Sequence, residues 1–161
     1  MDNGPMVYTS LNKLKYSYPE GFAMVPEMER SQMQFVGEPP AICLKDKDRH
    51  MILTAGAKKP GLFGGMISVK SAAEEMEKRI RKPMEPYGYH LEDFKGRMIC
   101  GENASGFRYR YTAQDIGMYG ESYVVRHEKV LYYLHVYLRE EFAEESWPVW
   151  ERILDAVEWK K

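Results

Sequence analysis

The chain has 161 residues, with 23 Lys and Arg against 24 Asp and Glu and a net charge of -1. A length of this order suits one domain that buries enough surface to need no disulfide or metal staple, and the neutral balance excludes the strongly basic footprint of a nucleic-acid or anionic-membrane binder. No window approaches about 18 consecutive apolar residues, which excludes a transmembrane helix.

The opening MDNGPMVYTSLNKLKY has no basic n-region, apolar h-region or small-residue cleavage site, so a cytoplasmic location is expected. From Leu14 to Val25, LKYSYPEGFAMV reads as two short extended pieces around a Pro19-Glu20-Gly21 turn, with Tyr16, Tyr18 and Phe22 as core contributors. A polar, Met-rich stretch from Pro26 to Gln34 follows. Ala41 to Leu44 and His50 to Ala55 then form a hairpin across the charged turn KDKDR. Cys43 and Cys100 each lie in a strand-like segment, AICL and RMIC, and read as small core residues of a reducing compartment, a disulfide between them being the less favoured alternative. The loop Lys58 to Gly65 carries turn signals at Pro60-Gly61 and Gly64-Gly65 yet places Leu62 and Phe63 between them.

Ser71 with Glu74 forms a capping box that opens a helix, Ala73, Met76 and Ile80 supply its apolar stripe, and Pro83 ends it. Glu74, Glu75 and Glu77 stand at its start and Lys78, Arg79, Arg81 and Lys82 at its end, the order a helix macrodipole favours. The basic run therefore reads as a solvated helix end first and a binding patch second. From Lys95 onward GRMICG, GFRYRYTAQ, GMYGESYVVRH and KVLYYLHVYLR form a four-strand antiparallel meander with turn-type residues such as Asn103 to Gly106 between strands. Phe107, Tyr109 and Tyr111 share a core face opposite Arg108 and Arg110.

Lys129 to Leu138 differs from the other strands. Val130, Tyr132, Leu134, Val136 and Leu138 point one way and Leu131, Tyr133, His135 and Tyr137 the other, so both faces need cover and the strand belongs in the middle of a sheet with a layer on each side. The last helix starts near Ser146 to Pro148 and buries Trp150, Ile153, Leu154 and Val157 at i, i+3, i+4 and i+7.

The opening YSYPEGFAMV, the central capped helix, the meander whose second strand begins SGFRYRYTA and the closing WPVWERILDAVEW resemble the PsbP-like superfamily, the group of PsbP, Mog and DcrB-type proteins, from about Leu14 to Trp159. That resemblance implies an α+β fold in a single domain over residues 1–161: a three-layer α/β/α sandwich around a central antiparallel sheet, with a C-terminal four-strand meander followed by a helix. It also implies action by binding other proteins rather than by catalysis, and it carries over no functional residue by position.

The residues themselves carry no catalytic signature. His50, His90, His127 and His135 form no i, i+4 pair and adjoin no cysteine cluster, so no metal site is expected. There is no G-x-S-x-G elbow, the glycines at 61, 64 and 65 lack the spacing of a phosphate loop, and Glu140, Glu141, Glu144 and Glu145 suit a helix start. No cofactor is expected. His135, among Tyr133 and Tyr137, reads as a core histidine bonded to a tyrosine or to backbone. The alternative makes Tyr133, His135 and Tyr137 the lining of a ligand pocket between sheet and helix.

Two sets remain as partner-binding candidates. One is Leu62, Phe63, Met66 and Ile67 around the glycine-rich turn. The other is Arg108 and Arg110 with Tyr119, Tyr123 and Tyr137, although a sheet face covered by the C-terminal helix is the favoured account of those tyrosines. The expected function is a non-enzymatic protein-binding or adaptor module, acting on another protein or by self-association, with no nucleic-acid or membrane partner. A small-molecule carrier is the alternative.

Overall fold

The computed structural model describes residues 4–33, 40–59 and 67–161. Its elements run β1 (Met6–Leu11), β2 (Leu14–Pro19), β3 (Ala23–Met24), α1 (Glu27–Arg30), β4 (Ile42–Asp46), β5 (Met51–Lys58), α2 (Val69–Met84), β6 (His90–Ile99), β7 (Glu102–Ala113), β8 (Ile116–His127), β9 (Val130–Arg139), α3 (Ala143–Asp155) and β10 (Glu158–Trp159). Seven strands form one antiparallel sheet in the order β3-β4-β5-β9-β8-β7-β6, and β1, β2 and β10 form a second, smaller sheet.

Strand β9 lies between β5 and β8, and both of its faces are covered. On one face Tyr132, Leu134, Val136 and Leu138 join Leu44, Leu53, Tyr123, Trp150, Ile153 and Leu154, with Leu14, Tyr16 and Tyr18 of β2, in the main core. On the other, Leu131 packs with Ala72, Ala73 and Val124 beneath α2, and Ile80 packs on Phe107 and Tyr109. The expected sandwich is present: α3 with the small sheet, then the seven-stranded sheet, then α2. The two extended pieces around Pro19-Glu20-Gly21 belong to different sheets, β2 to the small one and β3 to the edge of the large one. Tyr16, Tyr18 and Phe22 are buried as expected.

Several local expectations need correction. The N-cap of α2 is Ser68, whose Oγ accepts the Ser71 backbone N–H at 3.1 Å, so Ser71 lies within the first turn. Pro83 is inside the last turn of α2 with its ring exposed, and the chain continues through a 3₁₀ turn over Glu85–Tyr87 before Gly88, at φ 72°, ends it. Helix α3 begins at Ala143, ahead of the Ser146 to Pro148 start, because a 3₁₀ turn at Glu140–Phe142 leads into it. Trp150, Ile153, Leu154 and Val157 are buried as the stripe requires.

Asn103 to Gly106 lies within β7, not between strands. The meander turns instead at Cys100-Gly101, Gln114-Asp115 and Glu128-Lys129, two-residue connections in which every residue has positive φ, as hairpins of matching twist require. Cys100 is consequently exposed at a hairpin tip while Cys43 is buried, and both thiols are free. Among the described residues no helix is long and apolar enough to cross a membrane.

Candidate functional site

The meander ends at β6, which among the described residues pairs with β7 alone and is one of the two edge strands of the large sheet. A register shift between Leu91 and Asp93 places Glu92 in a bulge, after which the pairing is regular to Ile99. Phe94 lies opposite Phe107, Gly96 opposite Ser105 and Met98 opposite Asn103, so these three face the α2 side. Helix α2 covers β7 and β8, leaving Phe94 46% and Met98 54% exposed beyond it. Phe94 meets Phe107 in an edge-type contact at a centroid distance of 6.2 Å.

The opposite face of β6 carries Asp93, Lys95 and Arg97, and its neighbours form a charged network under α3. Glu121 is fully buried. Its carboxylate accepts Arg108 Nε at 2.6 Å and Trp150 Nε1 at 3.1 Å, and Lys95 Nζ lies 3.6 Å away. The Arg108 guanidinium sits over the Trp147 ring at 3.6 Å, and Tyr119 meets that ring edge-on. Arg97 bonds Glu151 and, at 2.5 Å, Asp155 on α3. A buried carboxylate with several charged and polar donors is a satisfied structural group, and removing it would strand its donors.

At the start of β6, Lys78, Arg81, Lys82, Glu85, Tyr89, His90 and Leu91 line an open cleft of about 580 Å³. Beneath it Glu77 is buried and accepts Arg81 and the Tyr89 hydroxyl, the latter at 2.8 Å. Burial works to raise the Glu77 carboxyl, yet the hydrogen bonds from Arg81 and Tyr89 and the charges of Arg81 and Lys78 bring it below its ordinary value. The same burial and the bond to Glu77 raise the Tyr89 phenol. The basic end of α2 thus lines a cleft as well as meeting solvent.

Arg108 is committed to Glu121 and Trp147, whereas Arg110 is exposed, with its Nε 3.7 Å from Glu92 at the bulge. Tyr123 is buried and Tyr119 packs on Trp147, which fits a face covered by the C-terminal helix. Tyr137 belongs to the other face. Ile67 is 38% exposed, while Leu62, Phe63 and Met66 lie outside the described residues.

His135 is buried, and its Nε2 is 2.8 Å from the Tyr109 hydroxyl. That bond depends on Gly120, which stands opposite Tyr109 and whose missing Cβ would fall 2.2 Å from the tyrosine ring. Burial lowers His135 to about 3 and pushes Tyr137 up to about 12, so both are neutral at ordinary pH. Tyr137 packs on His135 at 4.5 Å and Tyr133 packs beside α2. Sequence reasoning found this histidine and its tyrosine partner type. It missed Phe94 and Met98 as a pair and Glu121 altogether, for only the pairing register brings their neighbours together.

No family model and no curated protein matches the sequence. Solved structures do match in fold. CyanoP, the cyanobacterial PsbP of Synechocystis, superposes with a TM-score of 0.69 at 11% identity over 96% of this chain and 91% of that one. LpqN of Mycobacterium tuberculosis, described as involved in cell envelope biogenesis, gives 0.60 at 10% identity over 99% and 87%. A Pseudomonas aeruginosa protein of unknown function gives 0.52 at 11% identity over 95% and 96%. At such identities the likeness concerns fold alone, and the fold of this chain is PsbP-like.

Proposed function

We propose that this protein is a non-enzymatic, cytoplasmic binding module that takes its client as an added strand along the free edge of β6. The observation that carries this reading is the ten-residue β6, which among the described residues is paired on one side only and carries the exposed Phe94 and Met98. An open edge offers main-chain N–H and C=O groups that an extended segment completes, and alternate side chains on the covered face supply selectivity. The sandwich fold shared with CyanoP and LpqN and the lack of a catalytic signature in the sequence are consistent with binding rather than turnover. Arg110 and Glu92 at the bulge would form the polar rim of this surface. The carrier alternative has less support, since the Tyr109 ring lies over Gly120 and its hydroxyl engages His135 where a ligand would reach.

The test is hydrogen exchange on the protein with and without a client captured from native lysate, followed by the paired substitution Phe94→Lys and Met98→Lys. Slowed exchange in β6 and loss of capture by the variant are expected. A footprint confined to the segment around Ile67, with capture intact in the variant, would contradict the proposal.

A further inference from the structure

We infer that the β6 edge pairs with the β6 edge of a second copy of this chain, in the antiparallel register that sets Phe94 against its own counterpart. This inference rests on the reading of β6 as a docking edge and names its occupant. A two-fold axis that extends a sheet runs perpendicular to it, so residues on one face meet only residues on that same face, and each allowed register centres on one residue paired with itself.

Charge selects among the registers. After the bulge, the side under α3 presents Asp93, Lys95 and Arg97 in order, and the other presents Phe94, Gly96 and Met98. Centring on Asp93 sets two carboxylates together, centring on Gly96 sets Lys95 against Arg97, and centring on Lys95 sets two ammonium groups together while offering Asp93 only an Arg97 already held by Glu151 and Asp155. Each of those places like charges directly opposite, as does centring on Arg97, while centring on Met98 sets Arg97 against Ile99 and forms no ion pair. Centring on Phe94 places Asp93 opposite Lys95 twice and sets the two phenyl rings side by side. Gly96 flanks that aromatic pair on open ground, for a Cβ there would meet nothing nearer than Ala104 O at 3.8 Å.

Asp93 is open to such use, and Lys95 would share its charge between Asp93 of the second copy and Glu121. Among the described residues Asp93 has no ion-pair partner in its own chain and is exposed. Lys95 stands 3.6 Å from Glu121, a carboxylate already held by Arg108 at 2.6 Å. Pairing would also shield Phe94 and Met98, the large apolar side chains that α2 leaves uncovered. Two seven-stranded sheets would become one continuous sheet with both β6 edges closed.

Sedimentation equilibrium on the full chain over a concentration series tests this. The unsubstituted protein is expected to dimerise reversibly. Asp93→Lys alone and Lys95→Asp alone are each expected to weaken the dimer by about tenfold or more, because each reverses two symmetry-related contacts. An equimolar mixture of the two single variants restores opposite charge at both contacts and is expected to dimerise again. Lys95 also faces Glu121, so thermal unfolding verifies that each variant is folded, and Phe94→Lys provides an independent block that leaves that network alone.

A protein that stays monomeric throughout overturns the self-pairing, as does a dimer unmoved by the charge reversals, by their mixture and by Phe94→Lys. If such a protein still gains β6 protection from a client, the docking reading survives its loss. If β6 exchanges freely in both settings, both readings fall.

Discussion

Strands β9 and β6 each have ten residues and belong to the same sheet, yet one lies at its centre and the other at its edge. β9 is hydrogen-bonded on both edges and covered on both faces, so its side chains are spent on packing: even the polar His135 ends in an internal bond to Tyr109. β6 is bonded on one edge, and along most of its length it meets solvent, with Ile99 its one fully buried side chain. The same backbone pattern therefore yields a structural strand or an interaction strand according to what lies beside it. If β6 is the docking edge proposed above, substitutions in the two regions should separate stability from association.

The sharpest way to break the contrast is to attack the interior. Leu134→Ala removes a fully buried β9 side chain from the main core, and a loss of about 2–5 kcal/mol in urea unfolding is expected. Glu121→Ala should cost a similar amount, about 3–5 kcal/mol, because it leaves Arg108 and the buried Trp150 indole N–H without their acceptor. A loss under about 1 kcal/mol in either variant would mean that the layer under α3 is far looser than its contacts imply.

Acid offers a second probe of the same interior. His135 is neutral in the fold down to about pH 3, while in the unfolded chain an imidazole protonates near its ordinary value of 6.5. The folded value is the lower one, so the unfolded state binds the extra proton and stability falls as pH drops from about 6.5 toward 3. The slope approaches about 1.4 kcal/mol per pH unit, or about 3 kcal/mol in all by roughly pH 4. Carboxylates contribute their own slopes, so the diagnostic is the difference between the native chain and His135→Gln, which keeps a polar partner for Tyr109. Parallel stability curves for the two proteins over this range would show that His135 gains its proton without unfolding.

Gly120→Ala is a smaller perturbation of that contact. The added Cβ would lie 2.2 Å from the Tyr109 ring, so either the ring or the strand must shift, at an expected cost of about 1–3 kcal/mol in thermal or urea unfolding. The tyrosine would also lose its approach to His135. An unchanged midpoint would require that the Tyr109 ring has room to move aside.

How much of this was legible in the sequence follows from where each residue finds its partners. The two-faced reading of residues 130–138 succeeded because both faces are apolar within one strand, and the α3 stripe succeeded because helical spacing is local. β6 resisted the same treatment, since its bulge at Glu92 breaks the period of two and mixes Leu91, Phe94 and Met98 with four nearby charges. β1 went unseen because MVYTSL is largely exposed and is defined by its pairing to β2 across Asn12-Lys13. Glu121 looked like any strand carboxylate. Its burial depends on Lys95, Arg108 and Trp150, which only the register and α3 bring to it. Cys100 looked like the end of a strand, but its φ of 43° makes it half of a hairpin turn.

The smallest expected effect on stability is at the edge itself, and there it is the smallness that carries the meaning. Phe94→Ala removes an aromatic ring that is 46% exposed and touches the core chiefly through the Phe107 edge contact at 6.2 Å, so the monomer should lose less than about 1 kcal/mol. A phenylalanine held this loosely leaves nearly half of its surface for another partner. Association measured on the same sample should therefore drop clearly while the unfolding midpoint barely moves, the reverse of the pattern for Leu134→Ala. If Phe94→Ala instead unfolded the protein as readily as the interior variant does, β6 would be a structural strand like β9 and the contrast between them would vanish.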